Sequence, residues 1–328
     1  MVIAKKWILS KYFEGKPKPS DIQLKTEELP ETLNDGEILC EAVWLTVDPY
    51  MRFVHRLIKE GDVMFGSQVA RVLKSNNSKY PEGTYVLGKM GWCTHSIVSN
   101  ESQVKKLPEM GDLPLSLALG IMGMPGMTAY FGFLEKCEPK AGEIVLVNGA
   151  AGAVGSAVGQ IAKIKECKVI AFAGTAEKCT WLKEELGFDH VFNYKCTDLD
   201  KALSTVAPKG IDCYFDNVGG DFTSTVLKHM NSLGRVCICG SISTYNSQVT
   251  PTGPYPFIDI LTKALTIKGF LIYSYTDRFH EGQKEMLEWI QSGLVKYKET
   301  MTEGFENMPS AFFGLFEGHN IGKAVVKA

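Results

Sequence analysis

The stretch Ile144-Val-Leu-Val-Asn148-Gly149-Ala-Ala-Gly152-Ala-Val-Gly155 decides the fold. Its aliphatic start reads as a strand buried on both faces, its glycines as a tight turn, and the run Val154–Ile164 behind them as a helix. Strand, glycine turn and helix in that order make the first half of a βαβ unit, in which the helix N-terminus faces the turn with free N–H groups and a positive dipole end.

Working outward, further apolar runs predict strands at Lys168–Phe172, His190–Tyr194, Ile211–Asp216, Val236–Cys239 and Ile267–Ile272. Between them, Ala176–Leu186, Leu199–Val206 and Phe222–Met230 are long enough for crossover helices. Strands and helices in alternation predict an α/β fold with a doubly wound parallel sheet. The Pro- and Gly-rich stretch Thr250–Pro256 is expected to be a loop near the active site.

Upstream, short strand candidates Glu37–Val47, Gln68–Leu73 and Tyr85–Leu87 are separated by turn residues, which predicts a mainly β domain. Gly322–Lys327 returns to that texture. The expected division is therefore a β domain over 1–121, completed by 306–328, with the nucleotide-binding domain over 122–305 inserted between.

Composition narrows the function. In 328 residues, 45% are hydrophobic and 22% charged, which suits a globular chain with a buried core. A net charge of −2, with no dense basic run, argues against nucleic-acid binding. Met1–Ser10 lacks the apolar centre of a signal peptide, and no segment reaches membrane-spanning length, so a soluble, cytoplasmic protein is expected. The nine Cys lie mostly in apolar stretches such as Arg235-Val-Cys-Ile-Cys239-Gly240, with no C-x-x-C pair, which predicts reduced thiols and no cysteine-held metal.

The motif reads G-x-x-G-x-x-G, and a glycine trio by itself also marks a plain βα turn; the surrounding strands and helices favour dinucleotide binding. In this reading Gly152 lets the backbone approach a pyrophosphate and Gly155 permits close packing of helix on strand. NAD-preferring sites place Asp or Glu about 20 residues on, at the end of the second strand. Here Ala171-Phe-Ala-Gly174-Thr175 carries no acid, and Lys178 follows. A missing acid with an available base favours NADP(H), although Lys178 also reads as a solvated helix lysine.

Several longer segments resemble one known family in order along the whole chain. They are Val47-Asp-Pro-Tyr-Met-Arg52, Gly123-Met-Pro-Gly-Met-Thr-Ala-Tyr130, Asn148–Gly155, Asp212-Cys-Tyr-Phe-Asp-Asn-Val-Gly-Gly220, Ile238-Cys-Gly-Ser-Ile-Ser-Thr-Tyr-Asn246 and Gly304-Phe-Glu-Asn-Met-Pro309. The sequence is similar to the medium-chain dehydrogenase/reductase superfamily, in its prostaglandin reductase or leukotriene B4 12-hydroxydehydrogenase group. That resemblance implies a GroES-like β domain, a Rossmann domain, a cytosolic homodimer, and NADPH-dependent reduction of the C=C bond of α,β-unsaturated ketones and aldehydes, including alkenals and 15-oxo-prostaglandins (13-reduction). The NADP-dependent oxidation of the 12-hydroxyl of leukotriene B4 is a further implied reaction. By position it implies cofactor contacts from Thr128; Gly152, Ala153, Val154 and Gly155; Lys178 and Tyr194 near the 2′-phosphate; and Asn217. Cys239, Gly240, Ser241, Ile242, Ser243, Thr244 and Tyr245, then Phe270, Leu271, Ile272 and Asn320, match segments along the rest of the dinucleotide.

Zinc-dependent members of the superfamily resemble one another at an early Cys ligand and a Gly-His-Glu segment. This chain has Val47-Asp-Pro-Tyr50 and Phe65-Gly-Ser-Gln68 instead, so three ligands are not assembled and no metal is expected. Enolate charge then needs hydroxyl donors: a ribose 2′-hydroxyl and a tyrosine, with Tyr245 and Tyr50 as candidate catalytic residues. Tyr245 also reads as a surface-loop residue and Tyr50 as a packing residue. Two rivals share the cofactor site: an NADPH quinone reductase and a non-catalytic NADPH-binding structural or regulatory protein.

Overall fold

The computed structural model describes every residue from Met1 to Ala328. The chain divides into a β unit, made of Met1–Gly120, Glu299–Asn320 and Ala324–Ala328, and a nucleotide unit, made of Ile121–Lys298 with Ile321–Lys323.

In the β unit, β1 (Val2–Leu9) and β2 (Ile22–Leu29) form an antiparallel ribbon. The larger sheet begins with β3 (Ile38–Thr46), β4 (Gln68–Ser75), β5 (Tyr85–Gly88), β6 (His95–Val98) and β7 (Val104–Lys106). Leu9 of β1, Ile22 of β2 and Ala42 and Leu45 of β3 meet Met51, Met64, Trp92 and Phe312 in one buried core, and Ala70, Val72, Val86, Val98 and Val104 pack in another.

The nucleotide unit follows as α1 (Met124–Lys136), β8 (Ile144–Val147), α2 (Ala153–Ile164), β9 (Lys168–Ala173), α3 (Ala176–Thr180), β10 (His190–Asn193), α4 (Leu199–Val206) and β11 (Ile211–Asp216). It continues with α5 (Gly220–Lys228), β12 (Met230–Ile238), α6 (Phe257–Thr262), β13 (Thr266–Gly269) and α7 (Phe279–Gln291). The strands are all parallel, in the order β10-β9-β8-β11-β12-β13, so the winding reverses between β8 and β11. Leu146, Ile170, Phe172, Tyr214 and Val236 are buried in its core; burying an aliphatic or aromatic side chain of this kind contributes about 1.5–3 kcal/mol. Thr175 caps α3 and Asp198 caps α4, each by accepting a backbone N–H.

The chain then returns to the β unit with β14 (Glu299–Glu303), α8 (Met308–Glu317) and β15 (Lys323–Lys327). Strand β15 lies antiparallel beside β3, with Val325 opposite Thr46, and β14 lies on its other side.

Five elements differ from the sequence reading. The expected boundary at 305/306 falls instead at Lys298/Glu299, because the polar run Glu299–Glu303 is a strand; the upstream boundary falls at Gly120/Ile121. Ile267–Ile272 is not one strand: β13 ends at Gly269, Phe270 packs against Gly132, and Ile272 opens a 3₁₀ turn running to Arg278. Strand β12 starts at Met230, before the expected Val236, but it is bulged, with Leu233 at φ +61°. Met230 is therefore not the end of α5, which closes at Lys228. The helix expected over Ala176–Leu186 is α-helical only to Thr180 and widens to a π turn over Trp181–Glu185.

Candidate active site

The glycine turn is built by close approach. Gly149 has φ +56°, and Gly152 is extended and begins α2 as its N-cap. A Cβ on Gly155 would lie 2.5 Å from the Gly149 carbonyl oxygen and 2.8 Å from the Ala150 Cα, so no side chain fits there. The first-turn N–H groups of Ala153, Val154 and Gly155 have no acceptor within the helix, which makes the turn suited to a pyrophosphate. Gly155 thus packs on the turn itself, and close packing of the helix falls to Gly159, where a Cβ would lie 2.2 Å from Phe188. The sequence reading missed Gly159, although its spacing four residues after Gly155 places both on one helix face.

Gly322 was also missed. Its N–H donates to the Ala151 carbonyl at 2.7 Å. It has φ +67°, with the Lys298 carbonyl 1.9 Å from where a Cβ would sit. The returning chain therefore braces the turn.

At the end of β9, the Tyr194 ring lies about 3 Å from the Cβ position of Gly174, so glycine leaves room for the ring. Thr175 accepts the Lys178 N–H at 3.3 Å and sets the start of α3. Burial, and then the neighbouring Lys195, lower the Lys178 pKa below the ordinary lysine value. Two like charges brought together favour an anion between them. Lys195 was not found from sequence because it follows a different strand.

At the switch point, Asn217 donates its backbone N–H to Asn148 Oδ1 at 2.7 Å and its Nδ2 proton to the Asn148 carbonyl at 2.9 Å. Asn217 in turn accepts the Ile242 N–H, and Val218 accepts the Ser243 N–H, so the loops after β11 and β12 are tied together. Gly219 has φ +69°, with Ser241 Oγ at 2.1 Å from its Cβ position. Ser241 Oγ and Thr244 Oγ1 lie 3.0 Å apart. Tyr245 closes the loop: its Oη accepts the Ser241 N–H at 3.2 Å and lies 3.0 Å from the Cβ position of Gly240. Burial raises the Tyr245 pKa, so it is a neutral phenol at physiological pH.

The remaining expected contacts are dispersed. Thr128 is buried within α1, with its hydroxyl donated to the Met124 carbonyl at 2.8 Å. Phe270 and Ile272 are buried, whereas Leu271 is exposed. Cys239 is half-buried, and burial holds its thiol protonated. Tyr50 and Asn320 belong to the β unit. Tyr50 sits at the start of a 3₁₀ turn, Pro49–Arg56, tilted against Phe65 at 5.8 Å. Arg52, from the same segment, is buried and donates to the Gly15 carbonyl at 2.9 Å over the Phe13 ring, a structural role.

Comparisons with known proteins agree with this architecture. Residues 5–107 match a family described as the N-terminal domain of oxidoreductase, and residues 153–292 one described as zinc-binding dehydrogenase. The chain is 54% identical to prostaglandin reductase 1 of Bos taurus over 100% of both chains. It is 42% identical to the NADP(+)-dependent 2-alkenal reductase of Nicotiana tabacum, covering 98% of this chain and 96% of the relative. The crystal structure of CurA in complex with NADPH from Vibrio vulnificus superposes with a TM-score of 0.91 at 38% identity, covering 99% of each chain. The donor set does not fit the zinc of the second family's description. No three His, Cys, Asp or Glu side chains come together to hold a metal ion, and Gln68 spends its Nε2 on the Gly91 carbonyl at 2.9 Å.

Proposed function

Because this chain belongs to the medium-chain dehydrogenase/reductase superfamily, in its prostaglandin reductase family, we propose that it reduces the C=C bond of α,β-unsaturated ketones and aldehydes with NADPH. The observation that carries the reading is Tyr245, a half-buried neutral phenol in the loop after β12, in a site with no set of metal donors. When bound, NADPH supplies a hydride to the β-carbon. Negative charge then grows on the carbonyl oxygen, and a phenol that accepts from Ser241 can donate its own proton to that oxygen as a hydrogen bond. The α-carbon takes its proton from solvent, which leaves Tyr245 to stabilise charge.

Lys178, with Lys195 beside it and no carboxylate at the end of β9, supports the 2′-phosphate and hence NADPH over NADH. The first-turn N–H groups of α2 receive the pyrophosphate, and Tyr50, carried by the β unit, is the second candidate hydroxyl. Substrates in this reading include alkenals and 15-oxo-prostaglandins, with NADP⁺-dependent oxidation of the leukotriene B4 12-hydroxyl, in which hydride leaves the carbinol carbon for the oxidised cofactor and the hydroxyl proton goes to solvent, as a further reaction. A screen of NADPH consumption across alkenals, cyclic enones, quinones and 15-oxo-prostaglandins tests it. Turnover confined to quinones, or NADPH binding without any turnover, overturns it.

The same reading includes a homodimer. Strand β13 is a sheet edge, and Ile258 and Leu261 on α6, with Leu271, are more than two-thirds exposed. Light scattering at micromolar concentration that finds a monomer contradicts this part. It also places the chain in the cytosol, in keeping with nine free cysteines; no helix is long and apolar enough to cross a membrane. Cell fractionation that recovers it elsewhere rejects that placement.

A further inference from the structure

One residue reaches all three loops at the switch point, two through its side chain and the third through its backbone carbonyl. Asp216, the last residue of β11, is 1% exposed. Its Oδ1 accepts Asn148 Nδ2 at 2.7 Å and the backbone N–H groups of Val218 and Gly219 at 2.9 and 2.8 Å. Its Oδ2 accepts the Thr223 hydroxyl at 2.5 Å. Its own carbonyl accepts the N–H groups of Cys239 and Gly240 at 2.9 and 3.0 Å.

The protons around it run in one consistent direction. Asn148 sends its second amide proton to Tyr214 Oη at 2.6 Å. Because Thr223 gives its proton to Asp216, its oxygen is the acceptor for the Tyr214 hydroxyl at 3.0 Å. A carboxylate is the one side chain of this size that accepts all four donors; an amide would turn an N–H toward a group that already donates. Each partner sits at a loop or at a helix start. Asn148 opens the glycine turn, Val218 and Gly219 lead into α5, and Cys239 and Gly240 lead to Tyr245.

We propose that Asp216 is a positioning residue: its carboxylate, through Asn148 and Gly219, sets the pyrophosphate turn against the strand end whose backbone carbonyl carries Gly240 and the Tyr245 loop, without touching cofactor or substrate. The inference rests on the reading that these loops hold the dinucleotide. Fully satisfied buried networks of this kind rigidify what they join, and misplacing such loops acts on both cofactor affinity and turnover.

The test compares Asp216→Asn, Thr223→Val and Thr223→Ser in the full chain, with NADPH affinity read by nicotinamide fluorescence, kcat on an alkenal, and thermal midpoint. Asp216→Asn is expected to weaken NADPH binding about tenfold or more and to lower kcat, since buried hydrogen bonds to a charged group are lost. Thr223→Val should move both in the same direction by less, and Thr223→Ser, which keeps the hydroxyl, should restore them. If Asp216→Asn does not fold, the Thr223 pair decides. Parental affinity and kcat in Thr223→Val, with only the thermal midpoint lowered, would overturn the proposal in favour of a purely structural network. Lys178→Ala separates the two readings. If it weakens NADPH binding while the Asp216 and Thr223 variants do not, this inference alone fails; if none of them changes binding, the site itself has been misassigned.

Discussion

At one end of the proposed nucleotide site, the Tyr194 ring lies over Gly174, and Lys178 lies near Lys195, all as partly or fully exposed side chains. At the other end, Tyr245 is held by the backbone of its own loop, which is tied in turn to Asn217, Val218 and Asp216. In the proposed function the first arrangement acts by charge, and its members can be removed one at a time. The second is geometry, in which, under the proposal above, a change at Asp216 is felt in the loops it joins.

The predictions test that contrast, beginning where geometry is least forgiving. Gly155→Val places atoms inside the contact with Gly149 and Ala150, so NADPH binding should disappear, as read by nicotinamide fluorescence. Binding that survives would mean the turn is not the pyrophosphate site. Next comes Tyr245→Phe, expected to lower kcat by about 10- to 10³-fold with NADPH affinity little changed, since an oxyanion donor acts mainly in the transition state. Deuteride from labelled NADPH should appear only at the β-carbon. Label at the carbonyl carbon would make the reaction a carbonyl reduction, and unchanged kinetics would pass the role to Tyr50.

Lys178→Ala should have a narrower effect, raising the KM for NADPH by about tenfold while leaving NADH almost unchanged, as expected for one charge-assisted phosphate contact. The accompanying pH dependence has a definite sign. The cationic lysine favours the 2′-phosphate, so preference for NADPH is lost as pH rises through its pKa. Burial and Lys195 lower that pKa in the free enzyme, so the loss in kcat/KM for NADPH should begin below the ordinary lysine value of about 10.4. A ratio of NADPH to NADH specificity that falls only above that value would break the pairing of Lys178 with Lys195. The smallest effect is expected from chelators, which should leave turnover unchanged because no set of metal donors converges. Stoichiometric zinc required for activity would overturn the hydroxyl-based mechanism.

Legibility in the sequence follows the same divide. Strands β8, β9 and β11 were readable because burial on both faces makes them continuous apolar runs, and the glycine turn because its order is local. Strand β14, Glu-Thr-Met-Thr-Glu, lacks that signature, so the sequence alone places it with the nucleotide domain. Asn231-Ser-Leu-Gly234 reads as a turn, which hid the start of β12. Lys178 was visible as the residue standing where an acid was missing; Lys195 was not, since only the pairing of β10 with β9 brings the two together. The Asp216 circuit joins positions far apart in the chain, and no periodicity announces such a meeting.

The brace that Gly322 provides to Ala151 has a bearing on how the protein is made. During synthesis the glycine turn and its sheet leave the ribosome long before Gly322 does, and domains generally begin to fold in that order. The nascent nucleotide unit therefore has its strands before it has the Gly322 N–H that the Ala151 carbonyl of its turn accepts, and a chain released early by a stop codon just upstream of Gly322 would keep the glycines yet lack the support that sets them.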